Sequence, residues 1–138
     1  MGRVLAVDFG LKRVGLAVSD PLKMIAGPLA VLSPQQTLPF LDDYLRREQV
    51  EVLVVGLPLD LKGRPNSIQP QLEQFVQQVQ QRFPYLKIVW LDERFSSQMA
   101  QRLLAQAGLP KGKRRQKESI DQVSAILILQ QFLEKQLK

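Results

Sequence analysis

The chain has 138 residues, 45% of them hydrophobic and 23% charged, which is typical of one globular domain spanning residues 1–138. It contains no cysteine and no histidine, so disulfides, the usual zinc sites and nucleophilic triads built on Cys or His are excluded. The formal net charge of +6 indicates an anionic partner, most commonly nucleic acid, although a basic protein without such a partner would explain the charge equally well.

The first half of the chain predicts four strands and one helix. Short apolar runs predict strands at residues 4–7, 14–18, 29–32 and 50–55, the first of them rich in β-branched residues. A turn at residues 10–13 joins the first two strands as a hairpin. After Pro34 breaks the third run, leucines at helical spacing predict a helix over residues 37–47.

The second half begins with a helix and a strand. Asn66 and Ser67 are candidate caps for a helix whose apolar positions continue to Val79 at a period of 3.6 residues. Residues 87–91 predict the fifth strand, which the acids that follow it bring to an end.

Two helices complete the chain. Ser96 or Ser97 can cap a helix that runs through Ala107, and a basic loop at residues 111–117 precedes a last helix from about Ser119 to residue 136. Three strands followed by strand–helix alternation predict an α/β fold, with a mixed sheet covered by helices.

Four acidic residues stand at predicted strand ends or at a helix start. Asp8 closes the first strand, Asp92 and Glu93 close the fifth, and Asp121 lies in the first turn of the last helix. Because functional groups in such sheets gather at strand ends and helix starts, we expect Asp8 and Asp121 to meet. Two carboxylates about 4 Å apart repel by roughly 4 kcal/mol at an effective dielectric constant near 20. A divalent cation between them is the simplest remedy, and it would suit hydrolysis at phosphorus.

Each acid also has a structural interpretation. Asp8 can cap the turn that follows it, and Asp121 can simply favour the positive end of its helix. Asp92 or Glu93 can pair with Arg94 or cap the next helix. Because neighbouring side chains in a strand point to opposite faces, Asp92 and Glu93 are not expected to do the same work.

Several cations are candidates for nucleic-acid contacts. Lys12 and Arg13 lie in the turn beside Asp8, and Arg94 follows the acids of the fifth strand. The basic loop contributes Lys111, Lys113, Arg114, Arg115 and Lys117. If these side chains neutralise phosphates, binding will weaken steeply with salt. The alternatives are solvated charges in the turn and the loop, and pairing of Arg94 with a carboxylate.

Four segments resemble the YqgF family, whose members are described as pre-16S rRNA nucleases or Holliday-junction-resolvase-like proteins. The segments are "VDFGLKRVGLAVSD", "VVGLPLDLKG", "LDERFSSQMA" and "IDQVSAILIL", and they occur in the family's order. The resemblance extends from about residue 4 to residue 133. Ser96 and Ser97 stand where the family often has Thr after its DER motif.

The resemblance implies an RNase H-like fold whose five-stranded mixed sheet begins with three antiparallel strands. It also implies phosphodiester hydrolysis with Mg²⁺ or Mn²⁺ held by Asp8, Glu93 and Asp121. Related resolvases place an acid at the end of the fourth strand, but here that strand runs into "VGLP" without one. The fifth strand would supply the replacement, with Glu93 preferred to Asp92.

The expected function is therefore a nuclease that processes the 5′ end of precursor 16S rRNA in ribosome biogenesis. We expect RNA rather than branched DNA as substrate, ribosomal precursor particles as partners, and a monomer or weak dimer. No apolar run is long enough for a membrane span and no signal peptide is recognisable, so a cytoplasmic location is expected. The alternatives are a non-catalytic RNA-binding assembly factor, a Holliday-junction-type DNA resolvase, and an actin–hexokinase-type ATP phosphohydrolase, which would need a second related domain.

Overall fold

The computed structural model describes residues 2–57, 68–92 and 113–136, and of residues 113–121 and 136 it describes the backbone alone. In chain order the elements are β1 (Arg3–Phe9), β2 (Val14–Ser19), β3 (Ala26–Leu32), α1 (Pro34–Arg47), β4 (Val50–Leu57), α2 (Gln69–Arg82), β5 (Lys87–Asp92) and α3 (Lys113–Gln136). The five predicted strands are confirmed, each extending one to three residues beyond at least one predicted end. The helix expected between Ser96 or Ser97 and Ala107 lies outside the described residues.

The strands form one mixed sheet in the order β3-β2-β1-β4-β5. β1 pairs with β2, and β2 with β3, in antiparallel fashion, whereas β1, β4 and β5 run parallel to one another. This is the expected α/β, RNase H-like arrangement. Because β1, β4 and β5 point the same way, their carboxyl ends lie along one edge of the sheet, which we call the carboxyl edge.

Helices cover both faces of the sheet, and the alternation of β1 shows which residues face which helix. Leu5 and Val7 belong to a buried cluster with residues of α1 and α2. Val4 and Ala6 belong to a second cluster with residues of α3. We call the side of the sheet that carries the second cluster the α3 face.

Two helix starts differ from the sequence prediction. α1 begins at Pro34 because Ser33 and Gln36 form a reciprocal capping box, in which each side chain accepts a hydrogen bond from the other's backbone N–H. Proline suits the first turn of a helix, so Pro34 starts this element as well as ending the strand before it. The cap position of α2 is Ile68, without a side-chain cap hydrogen bond, whereas the expected caps Asn66 and Ser67 lie outside the described residues.

The start of α3 corrects the predicted basic loop. The helix begins at Lys113, six residues before Ser119, so residues 113–117 have helical backbone. Lysine, arginine and glutamine are good helix formers, and no glycine or proline follows Gly112 before the helix is established. Lys111 lies outside the described residues. None of the helices in the described segments combines the length and the apolarity that a membrane crossing requires.

Candidate active site

Asp8 occupies the carboxyl edge with a glycine on each side. It is the penultimate residue of β1 and pairs with Gly15 of β2. On the other side, Gly56 of β4 follows Val55, the partner of Val7. Alternation with Ala6 puts the half-buried Asp8 on the α3 face. Neither Gly15 nor Gly56 places a side chain beside this carboxylate.

The tight turn after β1 keeps two cations close to Asp8. A Cβ atom at Gly10 would lie 2.6 Å from the carbonyl oxygen of Arg13, so the turn requires glycine at this position. Lys12 is exposed in the turn and Arg13 is half-buried. Both therefore lie at the carboxyl edge beside Asp8, as expected, and their contacts with phosphate stay a prediction.

α3 packs across the face of the sheet that is named after it, and it brings the backbone of residue 121 to the same side of the sheet as Asp8. Ala125 and Ile128 are completely buried there, against residues of β1, β2 and β4. With 3.6 residues per turn, position 121 lies one turn before Ala125 and two turns before Ile128, on one stripe of the helix. The Asp121 side chain lies outside the description, so its meeting with Asp8 stays a prediction.

Strand alternation separates Asp92 from Asp8. Leu91 of β5 is buried on the α3 face, whereas Ile88 packs against the cluster on the opposite face. Asp92 alternates with Leu91, so its exposed side chain belongs to the face opposite Asp8. Glu93 and Arg94 lie outside the described residues.

The basic residues at the start of α3 have helical backbone. Lys113, Arg114, Arg115 and Lys117 occupy the one to two turns before Asp121. Their side chains lie outside the description, so the structure supplies the position of these charges along the chain and not their contacts. At a rise of about 1.5 Å per residue, the charges begin about 12 Å before Asp121.

One buried hydroxyl was missed by sequence reasoning. Of the polar side chains buried in the described segments, Ser19 accepts a hydrogen bond from the Val4 N–H at 2.9 Å and Thr37 donates one to the Ser33 carbonyl at 2.8 Å. Ser124 Oγ of α3 is buried without a hydrogen-bond partner in the structure as described. Leaving a buried hydroxyl unsatisfied costs about 1–3 kcal/mol. Its sequence signal was weak, a lone hydroxyl on an apolar helix face.

The donor atoms on the α3 face fit a hard divalent cation. No group of three potential ligands occurs among the described side chains, which include Asp8 but neither Glu93 nor Asp121. Asp8 nevertheless offers carboxylate oxygens between two glycines, and Ser124 adds an unsatisfied hydroxyl to the same face. Oxygen ligands in a chain without His or Cys suit Mg²⁺ or Mn²⁺ better than softer metals.

Comparison with known proteins gives full-length matches. A family model described as "RuvX: Holliday junction resolvase" matches residues 2–135. A protein of Amoebophilus asiaticus named "Putative pre-16S rRNA nuclease" is 46% identical over 133 residues, which cover 96% of this chain and 94% of the relative. A protein of Porphyromonas gingivalis with the same name is 46% identical over 134 residues, which cover 97% of each chain. Another, from Flavobacterium psychrophilum, is 36% identical over 137 residues, which cover 99% of this chain and 100% of the relative.

Proposed function

Because the chain belongs to the RuvX family, we propose that it is a divalent-metal-dependent nuclease that processes the 5′ end of precursor 16S rRNA. The family match confirms the resemblance to YqgF proteins. The RNA substrate is supported by the names of the relatives. Within the molecule, the proposal depends chiefly on one observation, the half-buried Asp8 at the carboxyl edge, on the face that α3 covers.

The proposed acidic cluster consists of Asp8, Asp121 and Glu93. The helical stripe through Ala125 supports Asp121, and strand alternation supports Glu93 over Asp92. Asp92 belongs to the face opposite Asp8, which argues against Asp92 as the third acid, and Glu93 lies outside the described residues. The three acids would then come from β1, from the chain just after β5, and from α3.

In the proposed reaction these carboxylates hold Mg²⁺ or Mn²⁺ and the basic residues hold the substrate. The cation would supply Lewis-acid stabilisation of the charge that develops on the phosphate oxygens, and would make water a better nucleophile. Asp8 and Asp121 provide the oxygen ligands, and Glu93 completes the set or orients the attacking water. Lys12 and Arg13 contact the phosphate nearest the acids.

The cations before Asp121 complete the proposed binding surface. Lys113, Arg114, Arg115 and Lys117 would contact phosphates further along the strand, which position the substrate without reading its sequence. Selectivity for precursor rRNA would then depend on RNA shape or on the precursor particle. We place this activity in the cytoplasm, on ribosomal precursors, with the whole chain acting as one nuclease domain.

A second candidate function follows from the description of the matched family model, Holliday junction resolvase. The same acidic cluster could hydrolyse branched DNA, since phosphodiester chemistry is shared by both substrates. The catalytic residues therefore do not distinguish RNA from DNA, and the two functions must be separated by offering both substrates.

The test is a cleavage assay with two labelled substrates, a single-stranded RNA with a precursor-like 5′ end and a four-way DNA junction. Each is incubated with Mg²⁺, Mn²⁺ or EDTA and with the wild type, Asp8→Asn, Asp121→Asn or the surface control Asp43→Asn, whose residue pairs with Arg47 on α1. We expect metal-dependent cleavage of the RNA, reduced about 100-fold or more by the first two substitutions and unchanged by the third.

Three results would contradict parts of the proposal. Cleavage that survives both Asp8→Asn and Asp121→Asn would place the activity elsewhere. Cleavage of the junction alone would favour the resolvase. RNA binding without cleavage, equal in all four proteins, would support a non-catalytic assembly factor.

A further inference from the structure

The unsatisfied hydroxyl of Ser124 requires an explanation because the packing of α3 on the sheet does not need a polar group at this position. Ser124 is 1% exposed, and its neighbour Ala125 packs in the same helix–sheet interface with no polar side chain at all. A helical serine commonly bonds to a carbonyl of the preceding turn, yet Ser124 Oγ has no such bond in the structure as described. Alanine at this position would avoid the penalty of burying the hydroxyl.

The position of Ser124 suggests what its partner is. It stands one turn after Asp121 on α3, and the helix packs there on the face of the sheet that carries Asp8. The strand residues of this face near Asp8 are small and apolar, namely Gly15, Ala6 and Ala17. A hydroxyl in these surroundings would be satisfied by an oxygen of the acidic cluster.

We propose that Ser124 is a positioning residue, whose hydroxyl donates a hydrogen bond to a carboxylate of the Asp8–Asp121 pair when that pair binds a divalent cation. The inference rests on the proposed function and adds a residue to it. A carboxylate that accepts this bond is held in one orientation, so less conformational freedom is lost when the cation binds. Hydrogen bonds of this kind to metal ligands typically change metal affinity 10- to 100-fold.

Ser19 provides a matched control. It is as deeply buried as Ser124, but its hydroxyl accepts from the Val4 N–H and donates to the Asp20 carbonyl, both at 2.9 Å, at the other end of β2. Removing the Ser19 hydroxyl should therefore lower stability and leave the acidic cluster unaffected. Removing the Ser124 hydroxyl should weaken metal binding by the acidic cluster without lowering stability.

The experiment measures the affinity of the full chain for Mn²⁺ by calorimetry, without substrate, together with urea unfolding. We expect Ser124→Ala to bind Mn²⁺ about 10- to 100-fold more weakly without loss of stability in the absence of metal. Ser124→Thr keeps the hydroxyl and should restore affinity. Ser19→Ala should be less stable and bind Mn²⁺ like the wild type.

The outcomes separate this inference from the proposed function. If Ser124→Ala binds Mn²⁺ like the wild type while Asp8→Asn no longer binds it, the role of Ser124 is refuted and the metal site stands. If Ser19→Ala and Ser124→Ala weaken binding equally, the effect is one of stability and the inference also fails. If Asp8→Asn binds Mn²⁺ like the wild type, the proposed site fails and the inference fails with it.

Discussion

Replacing Ile128 by alanine tests how α3 is held against the face of the sheet that carries Asp8. Ile128 is 0% exposed and packs with Val4 and Ala6 of β1. The substitution removes three carbon groups, whose transfer from water contributes about 2.4 kcal/mol. A residual cavity of about 50 Å³ would add about 1.2 kcal/mol. We therefore expect the free energy of unfolding to fall by about 2 to 4 kcal/mol.

Urea unfolding at equilibrium measures this change, and the same substitution at Ile25 is its control. Ile25 is 70% exposed in the turn between β2 and β3, so Ile25→Ala removes the same atoms from a solvated site. We expect its effect to stay within about 0.5 kcal/mol. A loss below about 1 kcal/mol for Ile128→Ala, or equal losses for the two variants, would refute the described packing of α3.

Two further predictions concern charge. The hydrogen bond from the Ile25 N–H lowers the pKa of the Asp20 carboxyl, with a smaller contribution from the Met24 N–H. The ionised carboxyl therefore stabilises the turn above its ordinary pKa of about 3.9, and this contribution is lost as the pH falls through the lower pKa of the folded state. The stability difference between wild type and Asp20→Asn should thus shrink between pH 7 and pH 3, and an unchanged difference in urea unfolding would contradict the assignment. In RNA-binding titrations, Arg114→Gln should lower the slope of log affinity against log salt concentration by about 0.7, the value for one phosphate contact on a single strand. Lys87 is the first residue of β5, at the end of the sheet opposite the carboxyl edge, so Lys87→Gln should leave the slope unchanged. Equal slopes for both variants would show that Arg114 does not contact the RNA.

The sequence predicted every strand of the sheet because each one contains a short apolar run, although burial differs: β1 and β2 are mostly buried, whereas β3 has no fully buried residue. It was less reliable where two local signals competed. Pro34 by itself predicts a break, whereas Ser33 and Gln36 form the capping box of a helix that starts with it. The charges of residues 113–117 predict a basic loop, although the same residue types are good helix formers and the backbone there is helical.

The candidate site was partly predictable for a similar reason. The end of an apolar strand identified Asp8, but the sequence could not show which face of the sheet α3 covers. Without that face, strand alternation could not show that Asp92 lies on the side of the sheet opposite Asp8. Ser124 went unnoticed because a hydroxyl becomes informative only once its burial and its missing partner are known.

The most direct test of the central claim, a nuclease site on the α3 face, compares two adjacent acids in the RNA cleavage assay. Glu93→Gln and Asp92→Asn each replace a carboxylate by its amide, one residue apart, and Asp92 lies on the face opposite Asp8. We predict that Glu93→Gln loses about 100-fold or more of the metal-dependent cleavage rate, whereas Asp92→Asn keeps the wild-type rate. Loss of cleavage in Asp92→Asn with full activity in Glu93→Gln would contradict a site on the α3 face.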